Sequence, residues 1–390
     1  MLKKAKIKDL GTIITGKTPS TKNDLFWNGE IDFITPKDIQ VTKHIFKTER
    51  SISYDGMNAV ASSLLPANAI CVSCIGNIGY VGMTTKRSVT NQQINSIICN
   101  QDNDPNFVFY LMKSLWPRFK KFEGQSTTIS ILNKGQFSDI DISLPSLQEQ
   151  EKIAAQLSCI DEKIELNAKI NDNLQEQARA LFKAWFVDYI PFGGSKPANW
   201  KAGKLKDILL LKRNAIKPGE NTELNYLPID AIPMNTFAVS EVRPNNEAQS
   251  SLITFNRDDI IIGAMRIYFH RVIIAPFDGI TRTTCFTLCS RSKEYLAFNL
   301  LCCDQDSTIE YAQATSRGST MPYAVWDGGL GEMMIEIPDK AIALEFNEIV
   351  LPIIRTIQSS FLENKRLQEL RDGLLPRLIT GELDVSGLEL

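Results

Sequence analysis

Few side chains in this sequence have the type and spacing that catalysis or metal binding needs. The chain of 390 residues has only two histidines, His44 and His270, which lie in different halves. A histidine-based acid–base or nucleophilic site is therefore hard to assemble. Cys71 and Cys74 have the spacing of a zinc-binding pair, but no second pair accompanies them and an apolar run surrounds them. We therefore expect two buried thiols rather than a metal centre.

Two further motifs resemble catalytic signatures but have simpler explanations. Asp104-Pro105-Asn106-Phe107 is similar to the Asp-Pro-Pro-Phe loop of amino-methyltransferases, with the wrong third residue. Asp followed by Pro is also a common helix start, as N-cap and first helical residue. Pro338-Asp339-Lys340 is similar to a nuclease signature, but no Glu-x-Lys follows at a useful spacing. Because no phosphate-binding loop is present either, these motifs do not indicate an enzyme.

Basic and amide side chains, by contrast, cluster in a pattern typical of nucleic-acid contacts. Residues 260–293 carry five basic side chains against the single acid Asp278, and residues 113–121 carry four and no acid. Cations of this kind contact phosphates, whereas amide and guanidinium groups read base edges. For any one of these residues an ordinary solvated loop is the alternative, so their matched placement in two halves is the stronger argument. The predicted DNA-binding residues are Lys37, Asn77, Lys86, Arg87, Asn91, Gln92, Gln93, Lys120, Lys121, Gln125, Ser126, Thr127, Arg266, Arg271, Arg282, Arg317, Ser319 and Thr320.

Composition and charge limit the class of protein. Hydrophobic residues make up 43% and charged residues 23%, a globular balance. The formal net charge is −2, so nucleic-acid binding must come from local patches. No apolar run is long enough to span a membrane, and the basic first residues have no apolar core behind them, so we expect neither a membrane helix nor a signal peptide. Eight cysteines without framework spacing indicate reduced thiols and the cytoplasm.

The chain repeats itself. Residues 174–182 match residues 367–375 at an offset of 193, and residues 6–10 match residues 204–208 at an offset of 198. Other matches keep the same order, and a drift of five residues is what loop insertions produce. The sequence therefore predicts two similar halves.

Each half combines a mixed domain with a long helix, which makes the predicted fold class α+β. Short β-rich runs such as residues 69–72 and 259–262 lie between Gly, Pro and Asn turns, and Asp104-Pro105 begins a helix. The predicted boundaries are 1–147 for the first mixed domain, 148–188 for the first helical spacer, 189–339 for the linker and second mixed domain, and 340–390 for the second spacer and C-terminal tail.

Both long helices carry a heptad seam, which predicts that they pair as an antiparallel coiled coil about a pseudo-two-fold axis. The alternative is that each helix packs on its own domain. Pro352 should kink the second helix or mark its start, and Pro376 should end it. Polar residues in the middle of the seam, Asn167, Asn171, Ser360 and Asn364, would fix the register. The seam positions are Ile153, Leu157, Ile160, Ile164, Asn167, Asn171, Leu174, Ala178, Leu181 and Trp185, then Phe346, Val350, Ile353, Ile357, Ser360, Asn364, Leu367, Arg371, Leu374 and Leu378.

The ends of the helices and the starts of the mixed domains carry a family resemblance. The segments are residues 144–150 entering the first helix, 180–189 leaving it, 374–383 ending the second, and 8–11 and 199–201 opening the mixed domains. With these segments, the whole chain resembles the specificity (S) subunits of type I restriction–modification systems. The second half departs from the family pattern where Pro338-Asp339-Lys340-Ala341 replaces a Pro-x-x-x-Gln run.

The resemblance implies a division of labour. Each mixed domain would be a target-recognition domain that reads one half of a split, asymmetric site in double-stranded DNA, while the helices set the gap. Two methyltransferase subunits would supply S-adenosylmethionine and the chemistry on adenine, and restriction motor–nuclease subunits would join for cleavage. The chain itself would be non-catalytic, with no cofactor or metal and no membrane contact.

Two other classes remain open at this point. One is a DNA methyltransferase or nuclease with unrecognised motifs, which S-adenosylmethionine binding by the isolated chain would support. The other is a structural assembly protein that does not read sequence, against which the basic loops of both mixed domains argue.

Overall fold

The computed structural model describes residues 2–39, 42–122, 130–239, 241–385 and 387. The first half of the chain forms β1 (Lys3–Lys6), β2 (Gly11–Thr15), β3 (Trp27–Ile34), β4 (His44–Ile45), β5 (Arg50–Ile52), α1 (Tyr54–Ala59), β6 (Leu64–Leu65), β7 (Ile70–Ser73), β8 (Val81–Thr84), β9 (Ser88–Thr90), β10 (Ile94–Cys99), α2 (Pro105–Ser114), α3 (Trp116–Phe119), α4 (Lys134–Ser138), β11 (Asp141–Leu144) and the long helix α5 (Leu147–Phe186). The second half forms β12 (Lys201–Lys204), α6 (Leu205–Ile208), β13 (Leu209–Leu211), β14 (Ala215–Ile216), β15 (Asn225–Tyr226), β16 (Leu252–Phe255), β17 (Ile260–Gly263), β18 (Val272–Ile274), β19 (Gly279–Arg282), β20 (Cys285–Ser290), α7 (Leu296–Cys303), α8 (Asp306–Ala314), β21 (Met334–Ile337) and the long helix α9 (Lys340–Ile379). Among the described residues, no helix is both long and apolar enough to cross a membrane.

The chain divides into two compact units, and the division falls inside both long helices. Unit 1 contains Met1–Glu165 and Arg366–Leu390, and unit 2 contains Leu166–Lys365. Each unit therefore has one mixed domain together with part of α5 and part of α9. The mixed α/β character with long helices agrees with the predicted fold class.

The two units share the central part of their sheet topology, as the sequence repeat predicts, and differ in their edge strands. Unit 1 has a sheet in the order β2-β10-β7-β8-β4, a second in the order β5-β3-β9-β6, and the pair β1-β11. Unit 2 has the orders β13-β20-β17-β18 and β14-β16-β19-β15, with the pair β12-β21. In each unit one pairing of the second sheet is parallel, β3 with β9 and β15 with β19. Two copies of one fold therefore present their loops in corresponding places.

Both long helices begin at a capping side chain at corresponding positions. The Ser146 hydroxyl and the Glu149 carboxylate form a reciprocal capping box at the start of α5, with 2.9 Å from the Ser146 amide to Glu149 Oε2. At the start of α9, Asp339 Oδ1 accepts hydrogen bonds from the amides of Ala341 and Ile342 at 2.9 and 3.1 Å. The acid of the Pro338-Asp339-Lys340 motif is therefore a helix cap. This role explains the motif without a nuclease site.

Pro352 does not mark the start of the second helix, and the prediction that Pro376 ends it is wrong. Helix α9 runs without a break through Pro352 and continues past Pro376 to Ile379. A proline lacks one amide donor, but packing on both sides holds the helix here, since Val350 and Ile354 are fully buried in the core of unit 2. At the other end, Leu378 and Ile379 are buried in the core of unit 1 and keep the last turn helical.

Within unit 2, α5 and α9 run antiparallel. Trp185, near the end of α5, contacts Phe346, near the start of α9, with 5.6 Å between ring centroids. Asn167, early in this part of α5, donates from Nδ2 to Asn364 Oδ1 at 2.8 Å and to Glu363 Oε2 at 2.7 Å. Residue numbers rise along α5 from Asn167 to Trp185 while those of their partners fall along α9 from Asn364 to Phe346. The two helices therefore run in opposite directions, as the heptad seams predict.

The other two seam residues behave differently from the Asn167–Asn364 pair. The Ser360 hydroxyl donates to the Thr356 carbonyl of its own helix at 2.9 Å instead of bonding across the seam. This is the usual alternative for serine in a helix. Asn171 is buried, and its Oδ1 atom accepts no hydrogen bond in the part of the chain that the structure describes. The register therefore depends on Asn167 and Asn364 more than on Asn171.

The Asn171→Leu variant is expected to raise the melting temperature or leave it unchanged. An unsatisfied buried carbonyl costs about 1–3 kcal/mol, and leucine removes it at similar volume. Asn167→Leu is the matched control, because it removes two observed hydrogen bonds and should lower the melting temperature. Thermal unfolding of both full-length variants checks this. A large loss of stability in Asn171→Leu would contradict it.

Unit 1 contains a buried polar cluster between α5, α9 and the mixed domain. The Asp161 carboxylate of α5 accepts from the Arg371 guanidinium of α9 and from the Tyr110 hydroxyl of α2, both at 2.7 Å. The Asp161 and Arg371 side chains are only 4% and 5% exposed. On its outer side, Arg371 Nε donates to Asp372 at 2.8 Å. Asp161 therefore links three helices in the core of unit 1.

Candidate nucleic-acid interface

Three segments of unit 1 meet at the end of strand β7. The Cys74 amide donates to the Gln93 carbonyl at 2.7 Å, and the Leu132 amide donates to the Cys74 carbonyl at 2.8 Å. These bonds join the 74–80 turn between β7 and β8 to residues 91–93 before β10 and to residues 130–132. A loop anchored in this way can hold side chains in a fixed arrangement for binding.

The same two hydrogen bonds assemble the corresponding place in unit 2. The Ala264 amide donates to the Thr284 carbonyl, and the Ala324 amide donates to the Ala264 carbonyl, each at 2.9 Å. The segments are the 264–270 turn, residues 282–284, and residues 317–324. We call each of these arrangements a three-segment site. By this equivalence Arg282 corresponds to Asn91, which lies next to Gln92.

The three-segment site of unit 2 brings together three predicted arginines. Arg317 lines a cleft of about 550 Å³, whose other lining residues include Met265 and Thr283, the neighbours of Arg266 and Arg282. Arg266, Arg282 and Arg317 are exposed, and none of them forms an ion pair with a carboxylate among the described residues. Guanidinium groups without a carboxylate partner suit phosphates or the acceptor edge of guanine.

The site of unit 1 presents amides and one lysine instead. Asn91 Nδ2 donates to Gln93 Oε1 at 2.9 Å, and Gln92 is exposed with its Oε1 accepting from Thr18 at 2.6 Å. Asn77 is exposed on the turn. The Lys120 ammonium lies over the Tyr80 ring of the same turn, 5.9 Å from its centroid. The two sites therefore share a scaffold but differ in chemistry.

Several other predicted residues lie away from these sites. Lys86 and Arg87 are on the turn before β9, at the opposite end of that strand from Asn91, and Lys86 is paired with Asp32 at 3.1 Å. Arg271 differs most from its predicted role, because its guanidinium donates to the carbonyls of Ile229 and Ile232 inside the domain. These two bonds from Nη1 stabilise the fold and direct this nitrogen into the domain.

The remaining predictions fall into three groups. Ser319 and Thr320 are exposed in the hairpin that Arg317 and Tyr323 close, beside the unit 2 site. Lys37 and Lys121 are exposed. Gln125, Ser126 and Thr127 lie outside the described residues. No contact tests any of these residues as a DNA ligand, so they stay predictions.

The turn of the unit 2 site has an unusual backbone. Arg266 and His270 both have φ = +49°, whereas the corresponding turn of unit 1 uses glycines at positive φ, Gly76 and Gly79. A left-handed conformation costs a residue with a side chain roughly 1–2 kcal/mol, so it persists only where the surroundings enforce it. Unit 2 thus places an arginine and a histidine in a turn where unit 1 has glycines at positive φ.

Some residues of the site were not predicted from the sequence. Thr283, Thr284, Arg213 and Tyr323 all line the unit 2 cleft. Arg213 lies before β14 and forms an ion pair with Asp327, far from it in sequence. Only the alignment of Thr283 and Thr284 with Gln92 and Gln93 could have indicated a role for them.

The residues first considered for chemistry have structural roles. Cys71 and Cys74 are buried, and desolvation raises the pKa of each thiol to about 12, so both are protonated. Asp104 caps α2, accepting from the Phe107 amide at 2.7 Å, as its Asp-Pro sequence predicts. Within the described ranges, no group of three or more His, Cys, Asp or Glu side chains could hold a metal ion.

Comparison with known proteins agrees with this geometry. Residues 2–176 match the family model of the type I restriction modification DNA specificity domain. The chain is 28% identical over 409 residues to the type I restriction enzyme MjaIX specificity subunit of Methanocaldococcus jannaschii, covering 98% of this chain and 94% of that one. It is 37% identical over 172 residues to the HindI specificity subunit of Haemophilus influenzae, covering 44% and 38%.

A solved structure shows the same fold. The crystal structure of a type I restriction–modification S subunit from M. genitalium aligns with a TM-score of 0.61 at 16% identity, covering 97% of this chain and 96% of the other. The fold, the repeated domains and the sequence relatives all support the same family. The family match and the relatives indicate that the chain is a specificity subunit of a type I restriction–modification system, a component that recognises DNA.

Proposed function

We propose that each mixed domain reads one half of a split, asymmetric site in double-stranded DNA through its three-segment site. The recognition domains would extend over residues 1–147 and 189–339. The main support is that two equivalent backbone hydrogen bonds assemble the site in both units while the side chains on it differ. Exposed guanidinium groups in one half and amides in the other would favour different bases.

We further propose that the two helical spacers, residues 148–188 and 340–390, set the gap and dock the catalytic partners. Two methyltransferase subunits would bring S-adenosylmethionine, and restriction motor–nuclease subunits would join them. Apolar side chains exposed on the helices of unit 2 support a protein partner, since such residues favour interfaces. They are Leu166, Ile170, Leu344, Ile349 and Leu362.

Methylome sequencing of cells with and without this gene, in the presence of the partner methyltransferase, tests the proposal. We expect a bipartite methylated motif that disappears with the gene. The enzyme alternative makes the opposite prediction, because an isolated chain that bound S-adenosylmethionine and methylated DNA would need no partner. A motif that persisted without this gene would contradict the proposal.

The Lys120→Ala variant is expected to weaken DNA binding by a similar factor for all sequences. A phosphate contact carries no base information, and its loss lowers the slope of log affinity against log salt concentration by about 1. Lys8→Ala is a matched control, because it removes the same charge outside the three-segment site, where the Lys8 ammonium lies 2.9 Å from Asp139. Titrations of the assembled methyltransferase complex at several salt concentrations measure both slopes. A change in base preference without a change in slope would count against a phosphate contact.

A further inference from the structure

A buried carboxylate in unit 2 connects helix α5 to the 264–270 turn of the three-segment site. Arg179 of α5 donates to Asp304 from Nε at 2.6 Å and from its terminal nitrogen at 3.0 Å. On the other side, His270 Nε2 lies 3.0 Å from Asp304 Oδ1 and 2.9 Å from the Asp304 carbonyl oxygen. The Asp304 side chain is only 1% exposed. One carboxylate therefore holds a helix residue and a turn residue together.

A second path leads from the same helix to the same turn. Gln175 of α5 donates to the Asn235 carbonyl at 2.6 Å, and the Asn235 amide donates to the His270 carbonyl at 2.9 Å. His270 ends the short helical turn that Arg266 begins, and both have positive φ. Because side chains disfavour this backbone, the turn needs external contacts to keep its shape. Asp304, which Arg179 of α5 contacts, and Asn235, which Gln175 of α5 contacts, provide these external contacts.

We infer that Arg179 and His270 are positioning residues for DNA recognition by unit 2. Through Asp304 they hold the 264–270 turn, and with it the Arg266 guanidinium, in the shape that this half-site requires. The inference rests on the proposed function. It assigns a role in recognition to Arg179, a residue of the spacer helix whose guanidinium contacts the Asp304 carboxylate instead of DNA.

The inference predicts a pH dependence confined to one half-site. The charged groups that face His270 are Asp304, Asp306 and Arg179. Burial lowers the pKa of His270, but its bonds to Asp304 outweigh this, and the net effect raises the pKa above 6.5. The protonated imidazole supports the turn at low pH, and this support is lost as the pH rises through the raised pKa. Discrimination by unit 2 should fall over that window while discrimination by unit 1 stays constant.

The test uses Arg179→Gln in the full chain, assembled with its methyltransferase subunits. Binding is measured against DNA libraries randomised at one half-site or the other. We expect discrimination at the half-site of unit 2 to fall about tenfold, in the range for one lost base contact, with no change at the other. Arg355→Gln is the matched control: Arg355 of α9 also pairs with a turn carboxylate, Asp258, but at the start of β17, away from the three-segment site. It should keep wild-type discrimination.

A second variant keeps the inference testable if Arg179→Gln fails to fold. His270→Gln should flatten the pH profile at the unit 2 half-site above pH 6.5, which a purely structural contribution would not do. Unchanged discrimination in Arg179→Gln, an equal loss in Arg355→Gln, or a normal pH profile in His270→Gln would each overturn the inference. Failure of the proposed function would differ, because the wild-type complex itself would then show no preference in either library, and the inference would fall with it.

Discussion

Replacing Asp161 with alanine is expected to lower the free energy of unfolding of unit 1 by about 3–5 kcal/mol, the range for removing one partner of a buried ion pair. The variant leaves the Arg371 guanidinium buried without its inner carboxylate, 2.7 Å away in the native protein. It also removes the carboxylate that accepts a hydrogen bond from the Tyr110 hydroxyl at 2.7 Å. Both losses occur in the core, where water cannot replace the missing contact.

Tyr110 is 0% exposed, so its hydroxyl has no contact with solvent that could replace Asp161. Asp372→Ala is the matched control, because Asp372 contacts the same guanidinium at 2.8 Å but is 59% exposed. Its loss should cost less than about 1 kcal/mol, as for other surface ion pairs. A double variant, Asp161→Leu with Arg371→Met, should recover most of the stability, since it removes both buried charges.

Hydrogen exchange of unit 1 amides in increasing urea measures these changes separately from unit 2. We expect a large loss of protection in the Asp161 variant, a small one in the Asp372 variant, and recovery in the double variant. Equal and small losses in both single variants would show that Asp161 contributes no more than a surface carboxylate.

The second large effect is expected from Arg282→Ala, which should relax base preference at the half-site of unit 2 tenfold to hundredfold. A bidentate contact of arginine with guanine discriminates by about 1–3 kcal/mol. Arg282 is exposed at the end of β19, beside the lining residue Thr283 of the cleft. The other half of the methylated motif should remain intact.

Arg291→Ala is the matched control for this prediction. Arg291 is exposed and basic like Arg282, but it follows β20, whereas Arg282 lies just before that strand begins. Its removal changes the net charge equally and should leave both half-sites unaltered. Gln92→Ala is the reciprocal variant and should relax only the half-site of unit 1.

Binding of the assembled methyltransferase complex to DNA libraries randomised at each half-site measures all three variants. An equal change at both half-sites in Arg282→Ala would contradict independent reading by the two units. An unchanged profile at both half-sites would remove Arg282 from the set of base-reading residues.

Local and periodic features of the fold were predictable from the sequence because they depend on neighbours along the chain. The Asp104 cap needs only the following proline and a free amide three residues on, and the heptad seams repeat along most of two helices that have 40 residues each. The prolines show the limit of local reasoning. Pro376 does not end its helix because the burial of Leu378 and Ile379, which is a tertiary effect, outweighs the missing amide.

The candidate site could be predicted only in part, because its segments meet through backbone hydrogen bonds between distant residues. Arg282 and Arg317 were found through charge and repeat position, whereas Arg271 has the same charge but donates to the carbonyls of Ile229 and Ile232. Sequence alone does not distinguish a guanidinium facing solvent from one facing a carbonyl. Arg179 was not predicted either, since its partner Asp304 lies 125 residues away.

The division of the chain into units also bears on the order in which the protein can fold during synthesis. Unit 2 is one continuous stretch, Leu166–Lys365, whereas unit 1 joins Met1–Glu165 to Arg366–Leu390. Leu375, Leu378 and Ile379 belong to the same buried cluster as residues of the first mixed domain. The ribosome therefore synthesises all of unit 2 before it adds the last piece of the unit 1 core. A premature stop after residue 365 would leave unit 2 whole and expose the interior of the domain made first.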